Sequence, residues 1–281
     1  MVGAPARMKM VKFAQSRGLS SRRVCALLSL SRSMLYYNHQ MPQRDAALAS
    51  ELHELSKKYP RWGYRLIRNK LKEPVSYGRV HRIWRAEGLS LPRRRKSRRL
   101  RGKTHRWMSA ITPNGIWAYD FIFDACANGQ KLKCLTVVDE WTRECLAIVP
   151  AARIRSVDVI EILSQLFALY GCPAFIRSDN GPEFVATSIQ TWLREQDVST
   201  SYIQPGKPWQ NGAIESFNAR LRADCLDVEW FRDRREAKWV IENWRKQYNE
   251  ERPHSAIEYE IPIQRRKSWE LNQQEVRKKA A

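Results

Sequence analysis

The sequence predicts an α/β fold: a mixed sheet covered by helices on both faces, preceded by small all-α modules. Three observations predict it. Residues 116–124 alternate with the period of two that belongs to strands, while 157–170 and 235–249 carry helical periodicity. Beyond residue 110 the elements read β-β-β-α-β-α-β-α, three strands at hairpin-like spacing and then strand–helix alternation, which joins antiparallel to parallel pairing. Ahead of residue 110 the punctuation is helical only.

Composition narrows the class. With 281 residues, 43% of them hydrophobic, and 11 Trp, the chain is too apolar and aromatic to be disordered, and it is long enough for one large domain with one or two small ones. No stretch approaches the roughly 18 apolar residues of a membrane span, and the first ten residues lack the apolar run of a signal peptide. A cytoplasmic, nucleoid-associated protein is expected. Six cysteines (Cys25, Cys126, Cys134, Cys145, Cys172, Cys225) form no C-x-x-C pair, so reduced and mostly buried thiols are expected rather than a zinc cluster or a disulfide framework.

Charge divides the chain. Residues 1–110 hold 27 Lys and Arg against 5 Asp and Glu, whereas 111–281 hold 23 against 24. A basic arm on a neutral body points to a polyanion partner, and nucleic acid fits better than a membrane surface because the arm has no strongly apolar amphipathic face.

Within the arm, helices are expected at 11–17, 20–27 and 32–37, broken by Gly18 and by residues 28–31, with Ser20 and Ser31 as caps. This is helix-turn-helix spacing, and it equally suits a plain three-helix bundle. Its last helix projects Arg32, Ser33 and Tyr36 as groove or phosphate contacts. A second helical module is read at 45–59, 64–71 and 77–87, punctuated by Pro60, Gly63 and Pro74. The run 92–106, with Arg94, Arg95 and Lys96 at its start, has no apolar period. As a linker beside a duplex it would neutralise phosphates without reading sequence.

In the body, strand 116–124 places Trp117, Tyr119, Phe121 and Phe123 on one face, and Ala118, Asp120, Ile122 and Asp124 on the other. Strands at 132–138, 145–149, 174–177 and 200–203 and helices at 157–170, 187–196, 211–225 and 235–249 complete the pattern. Three acids stand out: Asp120 in the first strand, Asp179 just past the fourth, and Glu215 in the first turn of the helix that follows a Pro- and Gly-rich loop. If the first and fourth strands are parallel neighbours, Asp120 and Asp179 lie side by side, which is unfavourable unless a cation or proton separates them. Carboxylate ligation without His or Cys selects Mg²⁺ or Mn²⁺ over zinc. Asp124 and Asp139, at or near strand ends, are rival acids. Lys207, Trp209 and Asn211 in the loop are possible backbone or stacking contacts.

The strings Pro113-Asn114 through Trp117 to Asp120, Ser178-Asp179-Asn180-Gly181-Pro182-Glu183-Phe184, and Asn211-Gly212-Ala213-Ile214-Glu215-Ser216-Phe217-Asn218 resemble the DDE signature of the integrase catalytic core. Tyr248-Asn249 through Arg252-Pro253-His254-Ser255-Ala256 strengthens the likeness. Over nearly its full length the chain is similar to the OrfB-type transposases of the IS-three family of bacterial insertion sequences. The resemblance implies an RNase H-like five-stranded sheet, two Mg²⁺ ions held by Asp120, Asp179 and Glu215, and cutting and joining of element ends. It also implies a phosphate-facing basic residue seven positions after the Glu, here Arg222. Expected partners are double-stranded DNA bearing terminal inverted repeats, target DNA, further copies of the chain, and an OrfA-like protein. The expected division is 1–42 helix-turn-helix, 43–91 second helical module, 92–110 basic linker, 111–265 catalytic core and 266–281 C-terminal tail. With five His and Cys25 alone at the N-terminus, the His-His-Cys-Cys zinc module of retroviral-type integrases cannot form. Tyr248 with Arg252 and His254 suggests tyrosine-recombinase chemistry, but their crowding at a helix end suits a packing cluster better. A structure-specific nuclease and a non-catalytic DNA-binding repressor are the alternative functions.

Overall fold

A computed structural model describes residues 4–36, 41–92, 109–178, 186–202 and 211–280. The first module consists of α1 (Ala4–Ser16), α2 (Ser21–Leu27) and α3 (Arg32–Tyr36). Helix α1 begins well before the expected residue 11, because Ala, Arg, Met and Lys favour helix without any apolar period to announce it. Gly18, at φ +85°, ends that helix in a conformation other residues resist. The Ser20 hydroxyl accepts from the Arg23 amide and caps α2. Val11, Val24, Cys25 and Leu30 close a small core. The second module, α4 (Met41–Lys58), α5 (Tyr64–Arg68) and α6 (Tyr77–Ala86), packs around Leu52, Ile67, Val80 and Trp84, with Ser76 capping α6.

The body is built on five strands: β1 (Ile116–Ala125), β2 (Lys131–Asp139), β3 (Cys145–Ala151), β4 (Phe175–Ser178) and β5 (Ser199–Tyr202), in the order β3-β2-β1-β4-β5. The first three pair antiparallel, and β4 joins β1 in parallel, with Ala118 opposite Arg177. Strand β5 continues in parallel. Alternation along β1 sorts the two cores. Trp117 and Tyr119 pack with α7 (Ser156–Tyr170) and α8 (Thr187–Glu195), while Ala118 and Ile122 pack with α9 (Gly212–Leu221) and α10 (Arg234–Glu250). Asp120 shares the second face.

On the aromatic face of β1, Phe123 is 61% exposed, with the Lys133 ammonium 3.9 Å from the Phe121 ring centre and 5.6 Å from that of Phe123; among the described residues β4 pairs with Ile116–Ala118. Two expectations are corrected. The single helix read over 211–225 changes character at Arg222, where the Asp227 amide donates to the Arg222 carbonyl at 2.8 Å in a π turn, Arg222–Leu226. The segment read as a tail belongs to helix α11 (Pro262–Ala280), and its Arg266 is buried, bonded to Glu144, to Asp139 and to Asn114. Of the cysteines, Cys172 alone is exposed and the other five are buried. Among the described residues, no helix is long and apolar enough to cross a membrane.

Candidate active site

Asp120 sits in β1 opposite Thr136 of β2. Its Oδ1 accepts from the Phe121 amide at 2.7 Å, and its Oδ2 accepts from the Asn218 side-chain amide at 2.9 Å. The Thr136 hydroxyl lies 3.0 Å from both the Asp120 carbonyl oxygen and the Asn218 Oδ1, so its one proton is shared between strand and helix. Thr136 and Asn218 are buried, and in that setting each such bond resists loss. Glu215 precedes Asn218 by three residues on α9, nearly one turn, and the two therefore share a side of the helix.

The Glu215 side chain faces solvent, yet partial burial raises its carboxyl above the usual range. A cation would offset the desolvation. The donor chemistry fits a hard divalent ion, since Asp120 and Glu215 both offer carboxylate oxygens. Asp179 lies outside the described residues. Ser178, which precedes it in sequence, ends β4 opposite Tyr202, one residue along that strand from the Arg177–Ala118 pairing. Glu140 holds Arg177 at 2.7 Å beneath the end of β4.

The other sequence-derived contacts separate. Arg222 donates to the Phe123 carbonyl at 2.6 Å and pairs with Asp227 at 3.6 Å, beyond the Asp120 level of β1. Asn211, read from sequence as a possible DNA contact, is 3% exposed, and its Oδ1 has no hydrogen-bond partner among the described residues. It is shielded rather than presented, because it heads the first turn of α9 against the core. Arg32 is exposed on α3, and Tyr36 ends that helix. Lys207, Trp209, Arg94, Arg95 and Lys96 lie outside the described residues. The rival acids have structural tasks. Asp124 accepts from the Ala125 amide, and fully buried Asp139 accepts from the Asn114, Trp141 and Thr142 amides and from Arg266.

The Tyr248 group is a packing cluster. Its ring stands 5.0 Å from that of Phe217 and 4.5 Å from that of His254, and burial pushes the phenol well above its ordinary pKa. Asn249 exchanges two 2.8 Å bonds with the Cys145 backbone, pinning α10 to the edge strand β3. Sequence reading quoted Asn218 within a motif but assigned it no role, and it overlooked Thr136 and Arg266. Thr136 and Arg266 carry no local signal, since each acts on a group distant in the chain.

Three antiparallel strands, two parallel ones on the far side of β1, helices on both faces and an acid at the centre of β1 define an RNase H-like fold of the polynucleotidyl transferase class. Residues 111–208 and residues 196–262 each match a family described as Integrase core domain. An insertion element IS407 protein of 31.7 kDa from Burkholderia multivorans is 38% identical over 87% of this chain and 89% of its own length. An insertion element IS476 protein of 39.2 kDa from Xanthomonas euvesicatoria is 37% identical over 85% of this chain and 70% of its own. The transposase for insertion sequence element IS904 of Lactococcus lactis is 25% identical over 54% of this chain and 61% of its own. The chain belongs to the integrase-core family of insertion-element transposases.

Proposed function

We propose that the protein cuts and joins the ends of its own insertion element by metal-dependent phosphodiester hydrolysis and strand transfer, with Asp120, Asp179 and Glu215 as the metal-holding trio. The observation that carries this reading is the bond from Asn218 to the Asp120 carboxylate, which fixes the Glu215 helix against the Asp120 strand on one face of the sheet. Magnesium or manganese, as two ions when bound, would supply charge neutralisation at the scissile phosphate and lower the pKa of the attacking water. The chain's residues orient that chemistry. Asp120 is oriented by its own strand amide and by Asn218, and Glu215 stands in the first turn of the helix that Asn218 ties to the Asp120 strand. Double-stranded DNA is the substrate, and the basic N-terminal modules are the candidates for recognising its ends. Assembly of several copies on DNA and an OrfA-like partner complete the proposal.

Purified protein with Mg²⁺ should nick a duplex carrying its element's terminal repeats, and EDTA should stop it. Asp120→Asn, Asp179→Asn and Glu215→Gln should each abolish nicking while duplex binding persists. Retained cleavage in all three variants refutes the assignment. Equal cutting of junctions or hybrids that lack terminal repeats moves the function to a structure-specific nuclease.

A further inference from the structure

A basic site lies on another side of α9. A cavity of about 320 Å³ is lined by Arg65 of the second helical module and by Arg143, Ser216, Arg220, Arg252 and His254 of the body. The one carboxylate paired with these arginines in the described structure is Asp224, which holds Arg252 at 3.0 Å and Arg220 at 4.0 Å. Arg143 Nε and His254 Nε2 are buried and have no hydrogen-bond partner among the described residues. Buried donors and acceptors of this kind are ordinarily satisfied, and an excess of guanidinium groups around one cavity repels itself unless an anion enters. The crowding shows in the charges themselves. Arg252 is drawn down to about 10 by burial and then by Arg220, and His254 down to about 3 by burial and then by Arg252 and Arg220. Arg143 also occupies a left-handed backbone conformation at φ +63°, where a long side chain is uncommon.

We propose that this cavity is an anion site that holds one phosphate of a DNA strand and thereby couples the second helical module to the integrase core. A phosphodiester suits it because guanidinium groups bind phosphate oxygens in forked pairs, and because Arg65 brings the module's contribution to the cavity from outside the core. Ser216 lines the cavity and follows Glu215 in sequence, so a strand seated here runs beside the helix that carries the proposed metal-holding acid. The inference rests on the transposase reading for the identity of the anion, and the test separates the two.

The test uses the full chain in EDTA, so that cleavage plays no part. In the first arm, melting is compared in inorganic phosphate and in chloride at equal ionic strength. Wild type should melt higher in phosphate, and Arg143→Gln/Arg220→Gln should lose that difference while melting no lower than wild type in chloride, since the removed charges repel their neighbours. Wild type unmoved by phosphate, or a double variant that keeps the whole response, overturns the site. The single variant Arg65→Gln, at an exposed position on α5, should reduce the response even if the double variant folds poorly.

In the second arm, affinity for a duplex is followed across salt concentration. The double variant should bind about tenfold more weakly, with a log–log salt slope shallower by roughly one to two, whereas Arg155→Gln, on an exposed residue outside the cavity, should leave the slope unchanged. Phosphate stabilisation with an unchanged DNA slope overturns the DNA assignment in favour of a free anion. Failure of the transposase reading registers separately, as cleavage that survives Asp120→Asn.

Discussion

The Asn218 amide donates to the Asp120 carboxylate at 2.9 Å, and the Thr136 hydroxyl stands 3.0 Å from the other end of the same amide. A helix and two strands meet at one side chain. The bond orients Asp120 through one of its carboxylate oxygens.

Asn218→Ala should therefore cost about 1–3 kcal/mol in stability, because it removes the buried amide's bonds to the Asp120 carboxylate and the Thr136 hydroxyl. It should also lower Mg²⁺-dependent nicking by at least about tenfold at saturating metal. Urea unfolding beside single-turnover cleavage checks both, and an effect on stability alone would reduce Asn218 to a packing residue. Asn218→Asp, which sets a second carboxylate against Asp120, should be the more damaging to metal-free stability.

Arg266 binds two buried acids from the start of α11. Burial raises the Glu144 carboxyl, and the guanidinium opposes that rise. Arg266→Met should lower unfolding free energy by about 3–5 kcal/mol, since Glu144 and Asp139 would remain buried without their cation. Chemical denaturation measures it. A loss below about 1 kcal/mol would show that Arg266 adds little to the docking of α11.

Tyr248→Phe should retain nicking within about twofold and change stability by no more than about 1 kcal/mol, because the phenol is enclosed by Phe217, Trp244 and His254 instead of facing a substrate. Loss of all cleavage in that variant would restore a tyrosine nucleophile to consideration.

His254 gives the fold an acid sensitivity of known sign. Its imidazole is pulled from 6.5 down to about 3, by burial first and then by Arg252 and Arg220. Between those values the unfolded chain binds a proton that the folded chain refuses, so the stability this residue contributes is complete above about pH 6.5 and is lost as pH falls toward 3. The urea midpoint of wild type should fall faster over that window than the midpoint of His254→Gln. Parallel curves would place the acid sensitivity elsewhere.

The strands and helices of the body were legible because each buries one face. Period two in β1 and the helical period of α7 and α10 are local consequences of burial, and the parallel partnership of β1 and β4, which the sequence raised only as a condition, is present in the sheet. Ser76, not named from the sequence, caps its helix in the same way as Ser20, and Ser20 was readable as a cap because a cap acts on an amide three residues away. Arg222 and Asn211 were not, since helical spacing predicts the side of a helix and says nothing of what stands there. A π turn and the Phe123 carbonyl engage the first, and the core encloses the second.

By itself, then, the sequence determined the element order, the basic arm and the acids worth suspecting, all properties carried by neighbours in the chain or by composition. Only the tertiary structure decided that Asn218 holds Asp120, that Arg266 holds Asp139 and Glu144, and that arginines from two modules share one cavity. Those pairings join residues tens to more than a hundred positions apart, and a hydrogen bond or ion pair at that separation leaves no period for a sequence to display.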